Sequence, residues 1–215
     1  MLTETSSGPG TRQLIDGLRQ DGYRTYSTID ARDRGALIAT RLPVSEVLTQ
    51  RLGVTLPWRA PAVLLDLAPA VAVVGVYVPS RDRSEAKIAR KRAFIASLLH
   101  GLRALPEPMR HHLLLVGDYN AVARRHDPPL RGLLPYEYAL HDTLEHLGLQ
   151  AVHELTPAAG HPHSWIGRTG IGYLYDYIHL GAGLHTRLQQ CAYLHEPRTL
   201  GLSDHAAVIA RLRLR

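Results

Sequence analysis

The stretch "LLLVGDYNAV" (residues 113–122) decides how the rest of the chain is read. Its first four residues are an unbroken apolar run, the pattern of a strand covered on both faces. The run ends on Gly117, Asp118, Tyr119 and Asn120, placing an acid and an amide two positions apart where the core stops. In extended backbone such residues project to one side, so the spacing aims Asp118 and Asn120 at a shared ligand. Gly117 fits a close approach of the backbone to that ligand. Taken alone, Asp and Asn at a strand end equally suit a turn cap.

Outward from this strand, two periodicities alternate. Short β-rich runs occur at "ALIAT" (36–40), "AVLLDL" (62–67), "VAVVGVYV" (71–78), "LYDYIHL" (174–180), "CAYLHE" (191–196) and "AAVIARL" (206–212). Helical spacing appears in "TRQLIDGLRQDG", with Leu14, Ile15 and Leu18 on one face. It recurs in "SEAKIARKRAFIASLLHGL", with Ile88, Phe94, Ile95, Leu98 and Leu99, and in "YEYALHDTLEHLG". The segment "ARKR" (89–92) suits a solvated basic face. "LLDLAPAVAVV" has the form of an antiparallel hairpin, which argues against a purely parallel sheet.

A chain of 215 residues suits one domain spanning 1–215 with a full core. Lys and Arg total 25 against 19 Asp and Glu, a formal net charge of +6 with 13 histidines besides. That balance makes a polyanionic partner plausible without identifying one. The single cysteine, Cys191, excludes an internal disulfide and suits a reducing compartment. The N-terminus lacks a basic, apolar leader, and the longest apolar run, "APAVAVVGVYVP", is too short to span a bilayer. A soluble cytoplasmic protein is the expectation.

Other polar residues interrupt strand patterns as Asp118 does. Asp176 lies between Tyr175 and Tyr177, Asp204 and His205 precede the last strand, and Glu4 follows the opening "MLT". Together these carboxylates, one carboxamide and one imidazole form the set that magnesium-assisted phosphoester hydrolysis needs. Glu4 and Asp204 would hold a divalent ion, Asp118 would orient or deprotonate the attacking water, and His205 would stabilise the transition state. Asp176 would hold His205 in one tautomer and keep it cationic.

These residues carry a family resemblance. "GDYN" resembles the GDxN motif, "LSDH" the terminal SDH motif, "YDYI" the Asp-bearing strand, "LTET" the glutamate motif and "GVYVPS" the tyrosine strand of the endonuclease/exonuclease/phosphatase superfamily. "RGALIATR" is similar to a further strand of that family, and all keep the family's order. The resemblance implies an α/β fold, a four-layer α/β/β/α sandwich of two packed mixed sheets flanked by helices. It implies Glu4 as metal ligand with Asp204 beside the metal, Asp118 as water-activating acid, Asn120 as its positioning partner, Tyr77 on the phosphate, and Asp176 with His205 as acid–imidazole pair. Members of the family open with a strand ending in Asn and a helix before the glutamate motif. Here the chain starts at that motif, so an N-terminally short domain is expected, with unpaired backbone where an inner strand would lie. "YLYDYI" also lacks the basic residue that many relatives carry shortly before the Asp.

Arg81 and Arg83 with Lys87 after the tyrosine strand, Arg124 and Arg125 after "GDYN", and Arg168 near Trp165 are candidate contacts to a nucleic-acid backbone. Trp165 suits stacking on a base, filling the place of a missing one, or an ordinary core position. Other chemistries fail: "SSGPGT" is no Walker loop, no Gly-x-Ser-x-Gly elbow occurs, and neither "HDTLEH" nor the His161–His163 pair has zinc-site spacing. The expectation is divalent-metal-dependent phosphodiester hydrolysis with Mg²⁺, Mn²⁺ substituting, by a DNA nuclease of exonuclease III or AP endonuclease type. The alternatives are a phosphatase or phosphodiesterase on a small phosphorylated metabolite, and a member that binds nucleic acid or protein without turnover.

Overall fold

A computed structural model describes residues 1–156 and 162–213; His161 lies outside them. The strands are β1 (Leu2–Thr5), β2 (Arg24–Tyr26), β3 (Gly35–Thr40), β4 (Val44–Val47), β5 (Ala62–Leu65), β6 (Val71–Tyr77), β7 (Leu113–Asp118), β8 (Leu149–Ala151), β9 (Trp165–Ile166), β10 (Gly172–Tyr173), β11 (Asp176–Gly181), β12 (Leu188–Leu194) and β13 (Ala207–Leu212). The longer helices are α1 (Pro9–Gln20), α2 (Glu85–Ala104), α3 (Glu107–His111) and α4 (Pro135–His146). No described helix is long and apolar enough to cross a membrane.

Six strands form one mixed sheet in the order β4-β5-β6-β7-β11-β8. β5 and β6 make the expected antiparallel hairpin, while β6 and β7 run parallel and are joined across α2 and α3. A parallel pair needs such a crossover, because no tight turn can return the chain to the same end. The run 113–116 thus becomes the inner part of a central strand, flanked by β6 and β11.

The two faces of this sheet are covered differently. Val74, Val76, Leu113 and Leu115 pack with Phe94, Ile95, Leu98 and Leu102 of α2 and with Leu140 and Leu144 of α4. α2 buries this stripe at helical spacing and adds Lys91 to it, so "ARKR" is not wholly solvated; Ala89, Arg90 and Arg92 are exposed and Lys91 is not. On the opposite face Val71, Val63, Ile178 and Leu180 pack with Ile38 of β3 and with Val208, Ala210 and Leu212 of β13. Where a second mixed sheet was expected, the described residues form two separate, wholly antiparallel sheets, β1-β3-β2 and β12-β13, with α1 against β2.

Among the described residues, β1 pairs with β3 alone and β13 with β12 alone. Their other edges border a groove of about 760 Å³, floored by Leu65, Val73, Leu114, Val116 and Ile178.

Candidate active site

Three site residues are placed by sheet register. Tyr77 at the end of β6 pairs with Asp118 at the end of β7, which pairs with Asp176 at the start of β11. Directly opposed residues share a face. Alternation puts that face with Val73, Leu114, Val116 and Ile178, toward the strand layer. The row therefore lies where the main sheet meets the ends of β1 and β13, from which Glu4 and His205 enter.

Asn120 reaches the site by another route than the sequence suggests. It is not extended but left-handed, with φ 46°. Its N–H donates to Asp118 Oδ1 at 2.7 Å, and its Nδ2 donates to Asp118 Oδ2 at 2.8 Å and to the carbonyl of Val78 at 3.0 Å. Asn tolerates this region better than most residues because its short amide bonds locally. Gly117 serves packing rather than a ligand: at φ 147° a Cβ there would meet the carbonyl oxygen of Val76 at 1.9 Å. It lets β7 lie close to β6.

Glu4 is the second non-glycine residue at positive φ among the described residues, at 59°. The β1–β3 register slips between Thr3 and Thr5, a bulge that re-aims the Glu4 side chain. Glu4 accepts a hydrogen bond from Tyr77 Oη at 3.0 Å and an ion pair from Arg34. Arg59, clamped by Asp33, lies over the Tyr77 ring at 4.3 Å and donates to the Tyr77 carbonyl. Burial, with the Glu4 charge beside it, pushes the Tyr77 hydroxyl up to about 12.

His205 Nδ1 sits 2.6 Å from Asp176 Oδ2. Burial alone would lower the His205 pKa, but the Asp176 hydrogen bond and charge, with Asp118 and Asp204 nearby, outweigh it and raise it to about 9. Asp118 is buried and lies next to Asp176, which together push it up to about 7 against the pull of His205, Asn120 and Lys91. Ser164 braces this corner: its hydroxyl accepts from the N–H groups of Tyr175 and Asp176, both at 3.0 Å, and its carbonyl from Ala206 at 2.6 Å. Trp165 forms a β-bridge with His205.

Glu4, Tyr77, Arg81, Asp118, Asn120, Trp165, Asp204 and His205 all line one cavity of about 510 Å³. Trp165 is half-buried at its lip, its ring 5.6 Å from that of Tyr175. Arg83, Arg124, Arg125 and Arg168 do not line it. Arg124 pairs with Asp142, and Arg125 with Glu145 and Glu154, because the chain after Asn120 turns toward the carboxylates of α4 and the segment beyond. Arg81 lines the cavity but is committed to the buried Glu137. Lys91, Glu137, Arg34, Arg59 and Ser164 were not singled out from the sequence. Buried-face periodicity at Lys91 was the one available signal among them.

Hard oxygens line the cavity: the carboxylates of Glu4, Asp118 and Asp204, the amide of Asn120, and Glu137, which is already paired with Arg81 and Lys91. Among the described residues no three His, Cys, Asp or Glu side chains gather closely enough to cage a metal ion. This donor chemistry fits Mg²⁺, which is usually held by one or two carboxylates plus water and substrate phosphate.

No protein-family model and no curated protein matches the sequence. Solved structures do. The 3′-phosphatase NExo from Neisseria bound to a product DNA hairpin matches 98% of this chain and 86% of its own, with TM-score 0.77 at 22% identity. The 3′-5′ exonuclease NExo from Neisseria meningitidis gives 0.76 at 23% identity over 97% and 86% of the two chains. An AP endonuclease from Archaeoglobus fulgidus gives 0.74 at 17% identity over 97% and 84%. These are proteins of the endonuclease/exonuclease/phosphatase superfamily, and this chain has their fold.

Proposed function

We propose that this chain is a divalent-metal-dependent phosphoesterase, a DNA nuclease of exonuclease III or AP endonuclease character. The observation that carries this reading is the row Tyr77–Asp118–Asp176 across three adjacent strands, with His205 bonded to its end and Glu4 to its beginning. A mixed DNA and phosphate specificity among proteins of the same fold supports it. The same reading takes α2 with α4, the six-stranded sheet, the two smaller sheets and α1 as the four layers of a sandwich, one domain in all.

Asp118 accepts the proton of the attacking water, a task that requires its ionised form and a pKa near working pH. Asn120 occupies one lone pair on each Asp118 oxygen, so the remaining ones point at a defined place. His205, kept cationic by Asp176, faces the negative charge that grows on the phosphoryl oxygens. Tyr77 Oη donates to the phosphate when it is not donating to Glu4. Glu4 and Asp204 would hold Mg²⁺ or Mn²⁺, which when bound would supply positive charge to offset that of the phosphate. Trp165 offers a face for a base and Arg81 borders the strand's path.

The test is incubation with Mg²⁺ or Mn²⁺ and single-stranded, duplex, abasic and 3′-phosphorylated DNA, RNA, and small phosphomonoesters, with chelator controls and Asp118→Ala. Metal-dependent cleavage of DNA that disappears in the variant is expected. Hydrolysis confined to small esters, or surviving chelator and substitution, overturns the nuclease reading; DNA binding without turnover overturns the enzymatic one.

A further inference from the structure

A charged cluster, Lys91, Glu137 and Arg81, forms part of the wall of the site's cavity. Lys91, on the buried face of α2, is only 2% exposed, and its ammonium donates to the Asn120 carbonyl at 2.7 Å and to Glu137 Oε1 at 2.6 Å. Glu137, fully buried in the first turn of α4, accepts at Oε2 from the Leu134 N–H at 2.7 Å and from Arg81. Arg81 also donates to the Gly132 carbonyl at 2.8 Å. One carboxylate thus joins α2, the start of α4 and the loop after β6, and Lys91 extends it to the loop after β7.

An ion pair is a poor choice for stability alone in such a place. Well-packed apolar residues of similar volume usually hold two helices together as well or better. What an apolar residue cannot do is donate to the carbonyl of Asn120. That peptide follows a left-handed residue, and such conformations persist only where the surroundings over-determine them. The N–H and amide of Asn120 are spent on Asp118 and Val78, on one side of its α-carbon. Lys91 fixes the other side.

We propose that Lys91 is a positioning residue for the Asp118–Asn120 pair: it locks the Asn120 carbonyl so that the Asn120 amides hold the Asp118 carboxylate in its working orientation, while Glu137 and Arg81 keep Lys91 aimed. This rests on the hydrolytic reading of the site above. Lys91 touches no substrate in this scheme and acts through Asn120.

The experiment compares the wild-type chain with Lys91→Met and with Lys91→Met/Glu137→Gln, the second removing the buried charge that the first leaves short of a partner. Turnover is read with Mg²⁺ on duplex DNA carrying an abasic site or a 3′-phosphate. Folding is read by thermal midpoint, and the Asn120 side-chain amide by proton exchange. The expected result is a double variant whose midpoint recovers toward wild type while kcat stays about 30- to 100-fold down with KM within about twofold, the scale of a small misplacement of a catalytic group. Exchange of the Asn120 amide protons should be about tenfold faster in both variants. Recovery of kcat together with the midpoint, a loss in KM instead of kcat, or unchanged exchange overturns the proposal. If wild type cleaves neither DNA, the hydrolytic reading fails while amide exchange still decides whether Lys91 holds Asn120.

Discussion

The two halves of the site are built differently. Asp118, Asn120, Asp176 and His205 are bonded to one another or to adjacent backbone, and both aspartates are buried. Glu4 and Asp204 sit at the open rim: the Glu4 side chain is 49% exposed and Asp204 is exposed. The contrast fits the roles proposed for the two halves. A group that moves a proton needs fixed geometry and an environment that tunes its pKa, whereas a group that binds a hydrated cation needs free lone pairs and water around them.

Removing the proton acceptor should produce the largest effect. Asp118→Asn is expected to lower turnover by about 10²- to 10⁴-fold, the usual worth of a positioned general base. Its folding stability should hold or rise, because a carboxylate pushed up to about 7 is one that burial makes costly to ionise. Single-turnover kinetics and thermal melting check the two halves of this statement. Retained turnover would mean that the buried half does not move the proton.

A smaller and different effect is expected at the rim. Glu4→Gln keeps the side chain's size and its bond to Tyr77 but halves the carboxylate charge offered by Glu4 and Asp204 together. The Mg²⁺ concentration for half-maximal activity should rise about tenfold, with turnover at saturating metal reduced less than in Asp118→Asn. Titration of activity against free Mg²⁺ measures it, and an unchanged requirement would remove Glu4 from the cation's ligands.

The third expectation concerns pH. His205 is raised from 6.5 to about 9, so its pairing with Asp176 stabilises the fold fully below about pH 6.5 and this contribution is lost as pH rises through 9. Its size is on the order of 2–3 kcal/mol. Asp118 acts in the same direction, since ionising it between its unfolded value and about 7 disfavours the fold. Thermal midpoints in chelated buffer should therefore decline from pH 6 to 9.5, and Asp176→Asn should flatten the part above 6.5. Activity should be bell-shaped, rising with Asp118 ionisation and falling as His205 loses its proton.

What could be read from the sequence was contiguous. "GVYVPS", "GDYN" and "YDYI" each couple a core strand to a polar side chain at its end, so the residues that stand in register across β6, β7 and β11 announce themselves one strand at a time. The hairpin of β5 and β6 and the buried stripe of α2 were legible for the same reason. The pairing of Lys91 and Arg81 with Glu137 was not, because it arises only when α2, α4 and a loop converge. Arg124 and Arg125 show the converse: adjacency to "GDYN" suggested a place at the site, but they do not line its cavity and pair with Asp142, Glu145 and Glu154. In place of the extended geometry expected for Asp118 and Asn120, a left-handed Asn120 bonds Asp118 directly.

Glu4 and Asn120, the two described non-glycine residues at positive φ, both face the same cavity. Such conformations cost of order 1–3 kcal/mol each, less for Asn, and glycine avoids most of that. A campaign that selected only for thermal stability would therefore favour glycine at position 4 and would tolerate it at position 120. It would enrich a better-melting protein that has discarded the proposed cation ligand and the amide that braces Asp118. In this chain, the backbone conformations that stability selection would remove belong to two residues of the proposed hydrolytic site.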